Sequence, residues 1–202
     1  MLILGTQVGV WIVGSSLVRN AFVAAKKRPG GVHLSLNHRF GVNIFWQGRG
    51  GLKLDKLKRH IQLLMTLEDI PAYIVVHIGG NDVGETRLGL LHYKLKRFMM
   101  WLSHKMPLTQ LIFSQILPRT YWRYSSNNNK IDKCRRRLNS SIGSLTVKNG
   151  GYYIHYPDIR KTAQFISADG VHLTALGNGI FLNTSQGALE KFICCKAGVA
   201  FP

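Results

Sequence analysis

The chain is expected to fold as a three-layer α/β/α sandwich around a five-stranded parallel sheet. Short apolar runs alternate with amphipathic segments along the whole length, and most of those runs close on Gly or Pro. The 202 residues, 46% of them hydrophobic, suit one domain with a real core and exclude a disordered chain.

The elements follow in order. A first strand is expected over 10–13, inside VGVWIVG, and a helix over 16–26. A second strand over 42–46 leads to a helix over 54–67. There Leu54, Leu57, Ile61, Leu64 and Leu67 recur at helical spacing, with Lys and Arg between them. A third strand over 73–78 precedes a helix over 88–104, and a fourth over 111–116 precedes a helix over 130–147. A fifth strand over 152–155 and a helix over 175–192 complete the pattern. Strand–helix alternation of this kind argues for a parallel sheet covered on both faces. No internal repeat or linker interrupts it, so one domain is expected over 1–202, with its core at about 8–192. The stretch SSNNN at 125–129 reads as a loop, and residues 120–130 are expected to shape any nearby pocket.

Several classes are disfavoured. No run reaches the roughly 18 apolar residues of a membrane span. The opening MLILGTQVGVWIVG lacks the positive n-region of a signal peptide, and a buried strand explains it better. Cys134, Cys194 and Cys195 are odd in number and two are adjacent, which implies no disulfide framework. Neither C-x-x-C nor H-E-x-x-H occurs, so no metal and no cofactor are expected. A reducing, intracellular setting is the corresponding expectation.

Charge is the unusual feature. Twenty-seven Lys and Arg against nine Asp and Glu give +18, a field that attracts polyanions and makes nonspecific nucleic acid a candidate partner. The cations fall in small groups: KKR at 26–28, KLDKLKR at 53–59, KLKR at 94–97 and RRR at 135–137. Any one group alone reads as a solvated helix face. Lys94, Lys96 and Arg97 are the candidate polyanion-binding residues.

Ligands of open parallel sheets bind at the carboxyl ends of the strands. The first three strands are followed there by GSS, GRGG and GGND, and ADGVHLTALGNG at 168–179 places Asp169 three residues before His172. Separately, each is ordinary: a Ser cap, a Gly turn, an Asn-Asp turn, an Asp-Gly turn. Together they supply what a serine hydrolase needs. That set is a hydroxyl nucleophile, an imidazole to take its proton, a carboxylate to orient the ring, and donors for an oxyanion.

These residues resemble the SGNH hydrolases, or GDSL-type esterases. IVGSSLVRN is similar to the family's first block, WQGRGG to its Gly block, HIGGND to its Asn block and DGVHLT to its Asp-x-x-His block. GGND followed much later by D-x-x-H-L-T is the specific pair. The resemblance implies the flavodoxin-like SGNH hydrolase fold. It implies Ser16 as nucleophile and backbone oxyanion donor, and Gly51 as a second backbone donor, with Gly50 the alternative. It further implies Asn81 as the side-chain donor, His172 as base, Asp169 as the ring's partner, and a small acyl ester, such as an acetyl ester, as substrate. The departure is Ser15, where the family usually has Asp, which also leaves two neighbouring serines to choose between. VWIVGSSLVRNA, LPRTYWRYS and DGVHLTALGNGIFLN further resemble SGNH domains carried by retroelements and by animal genes derived from them. Two functions therefore stand side by side: a metal-independent serine esterase, or a catalytically weak or inactive SGNH-fold module holding nucleic acid on its basic surface.

Overall fold

A computed structural model describes residues 7–125 and 127–202; the apolar stretch 1–6 and residue 126 of the SSNNN loop lie outside the described residues. Successive side chains of a strand point to opposite faces, and this period of two sorts the apolar runs into two cores. On β1 (Val8–Gly14), Val10 and Ile12 enter one core while Trp11 and Val13 enter the other. β3 (Tyr73–His77) and β4 (Gln110–Ser114) divide in the same way, with Val75 and Ile112 on the first side and Ile74, Val76, Leu111 and Phe113 on the second. A sheet buried on both faces needs helices on both.

The first core is closed by α1 (Ser16–Ala25), through Leu17, Val18 and Ala21, and by α6 (Ala175–Leu189), through Phe181 and Leu182. The second is closed by three helices: α3 (Leu54–Leu67), α4 (Leu88–Lys105) and α5 (Asn128–Lys148). In α3 the expected stripe of Leu54, Leu57, Ile61 and Leu64 is buried, but Leu67 at the last position is 68% exposed. Burying one such Leu or Ile side chain contributes about 1.5–3 kcal/mol.

Six parallel strands form the sheet, in the order β2-β1-β3-β4-β5-β6, with β2 at Val42–Gly48, β5 at Tyr152–Ile154 and β6 at Ala200–Phe201. The expectation of five strands is corrected to six. β6 is two residues long, too short for any alternation to register, and it carries the fold past residue 192. Two further pieces were not anticipated, a 3₁₀ turn at Gly31–His33 and a short α2 at Leu36–Phe40, because neither spans enough turns to show a period. α5 begins at Asn128, capped by the Asn127 side chain accepting from Lys130 N, so part of SSNNN is helical where a loop was expected. α6 stops at Leu189 and passes into a π-helical turn at Glu190–Cys194.

The order matters for function. The chain leaves β1 toward β2 on one side, and toward β3 and the remaining strands on the other. A crevice opens outside the carboxyl ends where the winding reverses. β1 ends at Gly14 and β3 at His77, so the residues just after both are delivered to it.

Candidate active site

Ser16 is the first residue of α1, so its N–H belongs to the opening turn and has no partner within the helix. Its Oγ lies 2.9 Å from His172 Nε2. The other ring nitrogen, Nδ1, lies 2.5 Å from Asp169 Oδ2. Asp169 Oδ1 accepts from the backbone N–H groups of Val171 and His172, each at 2.9 Å, which curls the D-G-V-H segment until carboxylate meets imidazole. Burial pushes the Asp169 carboxyl up, but the hydrogen bonds from the His172 ring and from the two backbone N–H groups outweigh it and hold the carboxyl at about 2.

Gly170 makes that curl compatible with its surroundings. Its φ of +72° is in the left-handed region, and a Cβ there would stand 2.5 Å from Tyr121 Cβ and 2.8 Å from Thr120 Oγ1. Its carbonyl accepts from the N–H groups of Thr120 and Tyr121, so the loop after β4 is fastened to the segment holding Asp169 and His172.

Asn81 sits in the turn after β3. Its Oδ1 accepts from Arg119 Nη2 at 3.0 Å and its Nδ2 donates to Leu52 O at 3.0 Å. Arginine only donates, so the amide orientation is fixed, and one of the two Nδ2 hydrogens remains free. The residue after Asn81, Asp82, reaches the same stretch two positions beyond Leu52. This buried carboxylate accepts from Leu54 N at 3.2 and 3.3 Å, at the start of α3, where a negative charge suits the helix dipole. Desolvation raises its pKa, the Leu54 N–H working against it. Of the two glycine candidates, Gly51 lines the cleft, with φ at +64° and open space where a Cβ would be. Gly50 does not line it and instead faces the Arg19 guanidinium, 3.2 Å from an added Cβ.

Ser16, Gly51, Asn81, Asp169 and His172 therefore line one cleft of about 390 Å³, joined by Lys53, Arg119, Arg123, Tyr121 and Tyr124. Ser15, 6% exposed, does not line it. A carboxylate that fixes an imidazole, whose second nitrogen faces a hydroxyl, is the arrangement that turns serine into a nucleophile. Sequence reasoning missed Arg119, Arg123, Lys53 and Asp82. For the two arginines the signal was LPRTYWR, which follows the fourth strand at the same sheet edge, whereas Lys53 lay within KLDKLKR and Asp82 within GGND with nothing local to set them apart. Among the described residues, no group of three or more His, Cys, Asp or Glu is placed to hold a metal ion. No described helix is long and apolar enough to cross a membrane. Cys134, Cys194 and Cys195 are free.

The candidate polyanion residues lie elsewhere. Lys94 and Arg97 line a groove of about 520 Å³ between α3 and α4, whereas Lys96, on the same helix, does not. Lys94 is already paired with Asp55 at 2.9 Å. In the same groove Lys58 lies over the Trp101 ring at 5.1 Å and Arg97 over Tyr93 at 5.8 Å.

Fold and cleft define a class, a parallel α/β domain with a Ser–His–Asp hydrogen-bonded chain at its carboxyl edge. Its fold is the SGNH hydrolase fold, that of the GDSL-type esterases. No family model matches the chain, and no curated protein matches it in sequence. Solved structures match it in fold. A family 3 carbohydrate esterase from Clostridium thermocellum superposes with a TM-score of 0.72 at 16% identity, covering 96% of this chain and 100% of that one. A GDSL-like lipase from Bacteroides thetaiotaomicron gives 0.69 at 19% identity, covering 92% and 89%. An acetylxylan esterase from Geobacillus stearothermophilus gives 0.66 at 13% identity, covering 92% and 95%.

Proposed function

We propose that the chain is a serine esterase that cleaves a small acyl ester, such as an acetyl ester, without a metal. The hydrogen-bonded run Asp169–His172–Ser16, opening on a cleft beside the free Asn81 N–H, carries this reading. The esterase and lipase descriptions of its structural neighbours support it. His172 Nε2 takes the Ser16 proton as Oγ attacks the ester carbonyl. The oxyanion forms against the N–H groups of Ser16 and Gly51 and the Asn81 amide. Collapse expels the alcohol, which receives the proton from His172 and leaves an acyl group on Ser16. Water then attacks the acyl carbon, His172 takes its proton, and the acid departs as Ser16 is re-protonated. Asp169 keeps the proton on Nδ1, so that Nε2 is the basic nitrogen throughout.

A fluorophosphonate probe with mapping of the labelled residue tests the assignment. Ser16→Ala should abolish both labelling and hydrolysis of 4-nitrophenyl acetate, while Ser15→Ala keeps part of both. Labelling of Ser15, with full activity left in Ser16→Ala, would overturn it.

A separate observation favours a second activity, alongside the esterase or in its place. The α3–α4 groove interleaves Lys58, Arg97 and Lys94 with Tyr93 and Trp101 on a chain of net charge +18. Cations that neutralise phosphates beside rings on which bases stack suit single-stranded nucleic acid with little sequence preference.

A further inference from the structure

The cleft around Ser16 is lined by three cations, Lys53, Arg119 and Arg123, and one acid, Asp169. Asp169 is engaged by the His172 ring and two backbone N–H groups, and Lys53 is held by Glu85 at 2.7 Å. That leaves two guanidiniums. Arg119 is only 8% exposed, yet among the described residues it has no carboxylate within ion-pair distance. Among the described residues its one side-chain hydrogen bond goes to the neutral Asn81 Oδ1, and its Cζ lies 5.0 Å from the centre of the Trp122 ring. Burial lowers its pKa to about 10, with Asp169 and Asp82 acting in the opposite direction, so it stays charged at neutral pH. Arg123, exposed on the same wall, has no ion pair among the described residues either.

A charge taken out of water without a counterion is expensive, and a ligand anion is the partner that would offset the cost. Holding Asn81 in place uses one N–H of Arg119. It explains neither the choice of a permanent cation over a neutral donor nor the second arginine. A guanidinium presents several donors in a planar fork that suits carboxylate or phosphate oxygens. Tyr121 and Tyr124, 53% and 49% exposed on the same wall, offer apolar faces to the body of such a ligand.

We infer that the ester hydrolysed at Ser16 carries a carboxylate or phosphate that lies against Arg119 and Arg123. The inference rests on the esterase reading and names its substrate class. Two matched pairs of esters test it. On the acyl side, 4-nitrophenyl hydrogen adipate is compared with its methyl ester. On the alcohol side, 4-acetoxybenzoate is compared with its methyl ester. In one pair the anionic member should have a kcat/KM about tenfold above its neutral match, the size of a single charge-assisted hydrogen bond. The pair showing the preference tells which side of the ester faces the arginines. Arg123→Gln should cut that ratio at least about threefold, and about 0.5 M NaCl should lower it as the exposed charge is screened. Ratios at or below one in both pairs, with the neutral esters turned over, overturn the inference and leave the esterase intact. A preference that survives both Arg123→Gln and salt overturns it too. If none of the four esters is hydrolysed and the fluorophosphonate probe leaves Ser16 unlabelled, the esterase reading itself has failed and this inference falls with it.

Discussion

Asp169→Asn isolates one function of one oxygen. Oδ1 can go on accepting from Val171 N and His172 N, so the turn keeps its shape. Only Oδ2, which faces His172 Nδ1, is replaced, and an amide NH₂ takes its place. Two N–H groups cannot face each other, so the ring must place its proton on Nε2. That nitrogen, 2.9 Å from Ser16 Oγ, then donates to the serine it should deprotonate. A wrong tautomer of this kind costs about 10⁴ in turnover where the carboxylate is fully buried. The Asp169 side chain is 49% exposed, so water can satisfy the amide and release a fraction of rings into the working form. A loss of about 10²–10⁴ in kcat is therefore expected. Initial rates on 4-nitrophenyl acetate at neutral pH give the number, and a thermal melt beside them shows whether the fold survived. Because the wild-type carboxyl is held at about 2, it is ionised throughout that assay, and the comparison is of charge and tautomer alone. Turnover within about fivefold of wild type, with an unchanged melt, would mean that Asp169 only shapes the turn.

Two further outcomes are expected. Asn81→Ala removes the free side-chain N–H of that residue, so turnover should fall about 10²–10³-fold with the fold intact, and a loss below about fivefold would make Asn81 a turn residue and no donor. For the α3–α4 groove, binding of a labelled single-stranded oligonucleotide should weaken steeply with salt, and Lys58→Gln with Arg97→Gln should flatten the log–log slope by about one to two. Lys96→Gln, outside the groove, should lower the affinity less than either of them, and no binding even at low salt would reject the nucleic-acid reading.

What the sequence made legible follows the range over which each signal acts. Alternation inside a strand is local, and the five expected strands lie where the apolar runs placed them. The blocks after β1, β2 and β3 were readable because a strand end is a definite place in a parallel sheet. A long-range role is different. LPRTYWR puts Arg119 near the sheet edge, but nothing local among the 27 Lys and Arg assigns it to Asn81 until the loop after β4 is set beside the turn after β3. RRR at 135–137 makes the same point. Arg135 is 5% exposed, paired with Asp132 at 2.7 Å and donating to the Ile116 carbonyl, so the reading of that group as a solvated face is corrected for it. Arg136, one residue on, has a side chain 66% exposed. Adjacent identical letters on a helix face different ways, and only the packing of α5 against the sheet decides which is buried.

Ser15 and Ser16 raise that problem at the centre of the cleft. The backbone changes from extended to helical between them, with Ser15 at φ −85° and ψ −158° and Ser16 opening α1. Side chains on either side of such a change point in different directions. Ser16 meets His172, whereas Ser15 is buried and its side chain caps nothing. The serine that a sequence reader would assign to capping the helix therefore makes no cap. The acid usual at this position in the family it resembles would be a charge taken out of water beside Ser16, and it would need partners of its own. A neutral hydroxyl has no such requirement. The departure thus changes the electrostatics behind Ser16 and leaves the hydrogen-bonded run from Asp169 to Ser16 complete. In the proposed mechanism the activation of Ser16 therefore rests on His172 and the carboxylate that orients it, which ties activity to the tautomer of the ring.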